Sequence, residues 1–324
     1  MHNKNIFNKS EYINYIKSNT SLSELQKNSL INYIKNKFNF FKDIDSNLQI
    51  STYYKEAIKI KNIQEIFRLQ ILFMHFITIQ QTNNLFEKLK LDNKLTDNEI
   101  INIIIKKNSN KTNHLYNPRN WDYAIEYLSF LYRKINKSTN IKYIDICCGS
   151  GKKTNLFSKY LKVKKEDTYG TDIKQWGPYQ QNIGKFPFKF KYIIDEKLDY
   201  EDNTFDIATC ILSLHHVQNI NKFIKDIYRI LKPNGYLLLI EHSIYDDYDR
   251  LFVNIQHLLY SVFYDNKKNY IENPDYIYTY NNYEWNFIMN KNKLEIKNQD
   301  IVPFEIQFET KYDNIFYGFY QKKV

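Results

Sequence analysis

"YIDICCGSGKKT", residues 143–154, is where this chain of 324 residues places two of its seven glycines in one turn. A short apolar run carries an acid, Asp145, and a turn of small residues with Gly149 and Gly151 follows. The next stretch, "KTNLFSKYLK", sets Leu156, Phe157, Tyr160 and Leu161 on a helical period. Strand, tight turn and helix in that order open a parallel sheet with helices on both faces. The turn is not a Walker phosphate loop, because Lys153 follows Gly151-Lys152 and Ile146 stands where the first glycine belongs. It does not complete a dinucleotide fingerprint either, since Thr154 occupies the third glycine position. Cys147 and Cys148 have no partners at zinc spacing, and Cys210 stands alone, so no metal site is expected in this chain.

The same alternation runs downstream. "DTYGTDI" and "FKFKYIID" read as the next two strands, "FDIATCILSL" as a longer buried one, and "NKFIKDIYRILK" as an amphipathic helix. "KPNG" (232–235) is a helix-ending turn before the buried strand "GYLLLIEH". A Tyr-rich segment, 245–284, interrupts the pattern before two closing strands, "VPFEIQFE" and "NIFYGFYQK". Upstream the chain reads as helical. "SLSELQKNSLINYIKNKF" opens with Ser21 and Glu24 at capping-box spacing, and Leu22, Leu25, Leu30 and Ile34 fall on one face. Thr96 and Glu99 repeat the device, residues 55–80 form a long helical candidate, and the polar stretch 106–120, with Pro118, reads as a linker. The expected division is a helical, basic region over 1–115 and an α/β domain over 116–324.

The formal charge is +10, and only five of the 46 basic residues are arginine. Asn, Ile, Lys and Tyr dominate as they would in a product of an AT-rich genome, which discounts the total. Residues 1–120 hold 18 basic and 10 acidic residues, a net of +8, leaving 28 against 26, or +2, for the remainder. The longest apolar run, residues 69–79, is too short and interrupted to span a bilayer. No apolar stretch of signal-peptide length lies near the start, and three cysteines make no disulfide framework. A cytoplasmic location without membrane contact is expected.

Three acids stand at the ends of successive strands: Asp145, then Asp172 at 21 residues past Gly151, then Asp195. In a doubly wound sheet ligands lie across that edge. Three acids without a third glycine suit hydroxyls and amines better than a pyrophosphate. The ordered set "YIDICCGSGKKT…YGTDI…NTFDIATCILSLHHV…LKPNGYLLLIEH" resembles class I S-adenosylmethionine-dependent methyltransferases, most of all their type 11 group. The resemblance covers residues 141–245 and implies a Rossmann-like, doubly wound, mostly parallel sheet of seven strands, with S-adenosylmethionine as cofactor. It implies a cofactor site of Asp145, Cys147, Gly149, Gly151, Asp172, Ile173 and Asp195. Asp145 would lie near the methionine end, Asp172 on the ribose hydroxyls and Asp195 at the adenine. Cys147 replaces the first glycine of the family pattern, at little expected cost. The segment between Asp172 and Asp195 is shorter than the helix usual there.

Methyl transfer from a sulfonium is an in-line displacement in which much of the catalysis is positioning, and a base serves only an acceptor that must lose a proton. In "LSLHHV", His215 is the candidate base. His216, Glu241 and His242 are candidates to line the acceptor site. The Asn/Asp-Pro-Pro-Tyr/Phe motif of amino-methylating DNA enzymes is missing, as is a Pro-Cys nucleophile for cytosine. The Tyr-rich segment carries seven acids against three bases, which does not draw a polyanion. The expected acceptor is an O or N nucleophile on a small molecule. RNA methylation, with the basic front third gripping the nucleic acid, and a non-catalytic cofactor-binding subunit docking a protein partner are the alternatives.

Overall fold

The computed structural model describes residues 9–20, 22–36, 121–173, 186–246, 280–303 and 314–323, with single residues between 80 and 87 and between 249 and 257. The expected helix over 55–80, the Thr96–Glu99 cap, the linker over 106–120, the segment 174–185 and most of 245–284 lie outside the described residues. Two helices open the chain, α1 (Lys9–Ser18) and α2 (Glu24–Asn36). The α/β part runs α3 (Trp121–Ile135), β1 (Tyr143–Ile146), α4 (Lys152–Leu161), β2 (Thr168–Asp172), β3 (Lys189–Tyr192), β4 (Phe205–Ile211), α5 (Ile220–Ile230) and β5 (Leu231–His242). It ends with α6 (Asn282–Lys291), β6 (Leu294–Ile301) and β7 (Ile315–Lys322).

The strands form one seven-stranded sheet in the order β3-β2-β1-β4-β5-β7-β6. The pairs from β3 to β5 are parallel, and β7 runs antiparallel to both β5 and β6. Strand order reverses between β1 and β4, and such a switch point opens a crevice at the carboxyl ends of the strands. The central strands are buried along their length, as a sheet covered on both faces requires. One side of the core gathers Ile144, Ala208 and Leu239, and the other gathers Tyr143, Leu238 and Phe319 under α3 and α4.

Two sequence readings change, and one strand is added. The KPNG turn is absorbed into β5: Leu231 pairs with Phe205 and pairing resumes at Ile207↔Tyr236, so residues 232–235 loop out, with Asn234 at φ 63°. A strand the sequence reading did not name, β6 (Leu294–Ile301), pairs with β7, and residues 304–309 of the expected strand "VPFEIQFE" lie outside the described residues. The cap of α2 also shifts. Ser23 Oγ accepts from Gln26 N at 3.3 Å and Gln26 Oε1 accepts from Ser23 N at 2.9 Å, so the box is Ser23–Gln26. Both Ser-x-x-Glu/Gln registers exist in "SLSELQ", and the one in use buries Leu22 and Leu30 while leaving Leu25 81% exposed.

The described part of the front third is joined to the sheet's core. Tyr12, Ile16, Leu22 and Leu30 share a cluster with Phe223, Trp285 and Phe287. The ring of Tyr12 meets Phe287 edge-on at 5.5 Å, and Lys291 pairs with Glu11 at 2.6 Å. Each such buried side chain stabilises by roughly 1.5–3 kcal/mol, so α1 and α2 contribute to the same core as the sheet. No helix among the described residues is long and apolar enough to cross a membrane.

Candidate active site

The glycine turn leaves β1 with three left-handed residues in five: Cys147 at φ 58°, Gly149 at 55° and Gly151 at 71°. Gly149 needs that conformation, and a Cβ there would meet nothing within 4 Å, so the turn faces open space. Gly151 is excluded from substitution twice, by φ and by packing. A Cβ would stand 2.7 Å from Phe188 and 2.8 Å from Phe186. Gly151 also caps α4, whose N-terminus points its free N–H groups at the same edge. Cys147 adopts the left-handed conformation without being glycine, which costs about 1–2 kcal/mol and corrects the expectation that it sits there cheaply.

The acids divide into two kinds. Asp172 closes β2. Its Oδ2 accepts from Gly149 N at 2.8 Å and its Oδ1 from Ile173 N at 2.7 Å, which locks the carboxylate onto the glycine turn. Beside it Ile173 and Ile194 are 65% and 69% exposed, two apolar side chains at the sheet's edge. Asp145 is buried, and its two oxygens accept from the hydroxyls of Thr154 and Thr209 at 2.6 Å each. It ties α4 to β4 below the turn, and burial raises its pKa to about 6 against those hydrogen bonds. Asp195 does not end a strand. It is exposed, three residues past β3, opening a left-handed turn with Glu196 (φ 51° and 53°) that closes the bridge Ile194↔Lys197. β3 stops pairing at Tyr192↔Asp172, so nothing holds Asp195 in strand register.

On the other side of the switch point, β4 ends at Ile211 and a single 3-10 turn, Leu214–His216, follows. Glu241, fully buried on β5, organises it. Its Oε1 accepts from the backbone N–H of Ser213, Leu214 and His215 at 3.0, 2.7 and 3.4 Å, and its Oε2 stands 2.5 Å from His215 Nδ1. His215 Nε2 lies 3.0 Å from Nε2 of His257, whose Nδ1 lies 2.8 Å from the carbonyl of Val253. A carbonyl only accepts, so His257 Nδ1 carries a proton and its neutral ring offers Nε2 as acceptor. His215 Nε2 then donates, and Glu241 donates as the neutral acid to His215 Nδ1. Burial favours this chain, raising the Glu241 pKa to about 7 and lowering that of His215 to about 3.

This placement alters three of the sequence's candidates. His215 is 2% exposed with both ring nitrogens engaged, so it turns no free nitrogen to an acceptor. Glu241 lies behind His215 rather than lining a pocket. His242 is buried at the end of β5, its ring 5.4 Å from that of His215, while His216 is exposed, its ring 4.2 Å from His215. His257 was missed, because nothing in its local sequence marks it and only the tertiary fold brings it to His215. Among the described acids of the Tyr-rich segment, Asp249 and Glu284 are buried. Asp249 accepts from Tyr245 N, and Glu284 belongs to the capping box of α6 with Asn281.

A sheet of this order, with a glycine turn bound to the acid of the next strand at its switch point, defines a Rossmann-like cofactor-binding protein. The profile of the family described as "Methyltransferase domain" matches residues 115–281, just over half of the chain. The chain belongs to that family, the class I S-adenosylmethionine-dependent methyltransferases. It is 26% identical over 172 residues to the uncharacterized methyltransferase YcgJ of Bacillus subtilis, covering 52% of this chain and 62% of that protein. It is 30% identical over 126 residues to the sterol 4-C-methyltransferase strm-1 of Caenorhabditis elegans, covering 36% of each. Over 128 residues it is 27% identical to a ubiquinone biosynthesis O-methyltransferase of Rickettsia canadensis, covering 39% of this chain and 52% of that protein. The chain thus spans 36–62% of the length of these curated relatives.

Proposed function

We propose that this protein transfers a methyl group from S-adenosylmethionine to an oxygen or nitrogen of a small-molecule acceptor. The observation that carries the reading is the bond from Gly149 N–H to Asp172 at the switch point, beneath open space. The residues there fit the cofactor. The turn at Gly149 leaves room for its methionine part, and the N-terminus of α4 favours its carboxylate. Asp172, oriented by two backbone N–H groups, is a carboxylate placed to accept from ribose hydroxyls, and the exposed Ile173 and Ile194 offer apolar surface to the adenine. Bound there, the cofactor supplies an electrophilic methyl, while the chain holds it at the edge that β4 and β5 also reach.

The small-molecule acceptor draws support from relatives named for a sterol and for ubiquinone biosynthesis. Calorimetry with S-adenosylmethionine tests the cofactor half. Asp172→Ala should weaken binding at least ~100-fold, about 2.7 kcal/mol. Unchanged affinity in a variant of native circular dichroism would sink the reading. Transfer of labelled methyl into separated small-molecule, protein and RNA fractions tests the acceptor half, and label confined to RNA would overturn it.

A further inference from the structure

His215, His216, His242 and His257, four of the chain's seven histidines, gather where β4 and β5 end. Two of them are mounted alike. His215 sets Nδ1 against Glu241 Oε2 and His257 sets Nδ1 against the Val253 carbonyl, and each turns Nε2 to the other at 3.0 Å. With Glu241 ionised, both rings are anchored through Nδ1–H and turn two lone pairs on each other at that distance. The arrangement is closed either by the proton that neutral Glu241 leaves on His215 Nε2 or by a metal ion between the rings. His242 adds a third donor: one ring nitrogen each of His215, His242 and His257 falls within 4.8 Å of the others. We infer that these three histidines form a site for a divalent first-row transition ion, zinc in the first place, with Glu241 as the carboxylate behind His215.

The chemistry of the donors selects the ion. Three imidazoles suit zinc and its neighbours, whereas magnesium and calcium demand oxygen ligands. With Zn–N of about 2.0–2.1 Å, two nitrogens on one tetrahedral zinc stand about 3.3 Å apart, a few tenths from the separation observed. A ligating histidine nearly always donates its second N–H to a carboxylate or carbonyl, and both Nδ1 partners here are of that kind. The carboxylate of Glu241 is itself held by three backbone N–H groups, so the support behind the ligand is fixed. His257 is half-buried and His216 beside it exposed, which gives the cluster a side toward solvent. The use of the ion rests on the methyl-transfer reading: an acceptor hydroxyl bound as fourth ligand would yield its proton to water near neutral pH. Its binding does not rest on that reading.

The test uses the full chain, stripped with chelator and carrying no histidine tag. Equilibrium dialysis against zinc(II) should leave one ion per chain, and cobalt(II) should give the intense visible bands of a four-coordinate site. His257→Ala and His242→Ala should each weaken zinc at least ~100-fold. Glu241→Gln discriminates further. Its amide can still accept the three backbone N–H groups, but it donates to His215 Nδ1 and so forces the proton onto Nε2, which blocks ligation. Zinc affinity should fall ~10–100-fold while the unfolding midpoint barely moves. Asp172→Ala should bind zinc as the parent does while losing the cofactor, which separates this proposal from the function proposed above. Zinc and cobalt both bound more weakly than ~100 µM by the parent chain would overturn the site, leaving a proton between the two rings. So would His257→Ala binding zinc like the parent.

Discussion

The glycine turn and the histidine cluster leave neighbouring strands by the same edge of the sheet, and they are built in opposite ways. The turn is contiguous in sequence and made of backbone: positive φ at Cys147, Gly149 and Gly151, a helix N-terminus, and the Gly149 N–H directed at Asp172. The cluster is assembled from three separate stretches and made of side chains, with Glu241 buried beneath His215 and His257 arriving from 42 residues away. The turn is open where a ligand of shared chemistry is expected. The cluster is mostly buried, with His216 exposed and His257 half-buried on its one side toward solvent. A turn of backbone groups can be written as a local motif, whereas a cluster of distant side chains is composed from whatever the fold brings to the edge.

Each half rests on one buried carboxylate, Glu241 in the cluster and Asp145 under the turn, and the contrast can be broken at either. The largest effect is expected at Glu241→Ala, which leaves three backbone N–H groups and His215 Nδ1 without their acceptor or donor. Stability should fall by about 3–5 kcal/mol in urea titration, with cofactor affinity nearly unchanged. A loss below ~1 kcal/mol would mean the cluster is not held from behind.

Asp145 gives the next effect, and it depends on pH. Its folded pKa, raised to about 6 by burial, exceeds the unfolded value, so the folded chain binds the proton more tightly. Stability is therefore highest below the unfolded pKa and declines as pH rises toward about 6. Asp145→Asn should remove that decline, gaining on the order of 3 kcal/mol relative to the parent between pH 4 and 7. Parallel stability profiles for the two proteins would contradict the burial seen here.

The smallest effect is at the turn itself. Cys147→Gly relieves the left-handed strain but frees the unfolded chain, so it should change stability by no more than ~1 kcal/mol, in the favourable direction. Cys147→Val, β-branched at the same φ, should destabilise clearly. Equal effects from the two would show that backbone conformation is not what constrains this position.

The sheet was legible because each central strand is an apolar run closed by an acid or a turn residue, and because parallel order follows from alternation with helices. Tyr143–Ile146, Thr168–Asp172 and Phe205–Ile211 fall where the sequence put them. Periodicity did not carry β6, whose "LEIKNQDI" is mostly polar and is held by pairing with β7. Nor did it carry α6, whose first turn lay at the end of a segment read only as Tyr-rich. In the candidate site, Asp172, Gly149 and Gly151 were readable from spacing. The true positions of Asp195 and Glu241 were not, since each depends on where a strand stops pairing or which face of it is buried.

By itself the sequence determined the order of the candidate cofactor edge: a strand, a turn that only small residues tolerate, a helix and an acid on the next strand are local chemistry in a fixed order. Only the tertiary structure decided that residues 9–36 join the core cluster, that His215 is enclosed between Glu241 and His257, and that Asp145 ties α4 to β4. Those are facts about which distant side chains share a dry interior. Burial and the pairing of polar atoms within it are properties of the packed chain, which no spacing of residues encodes.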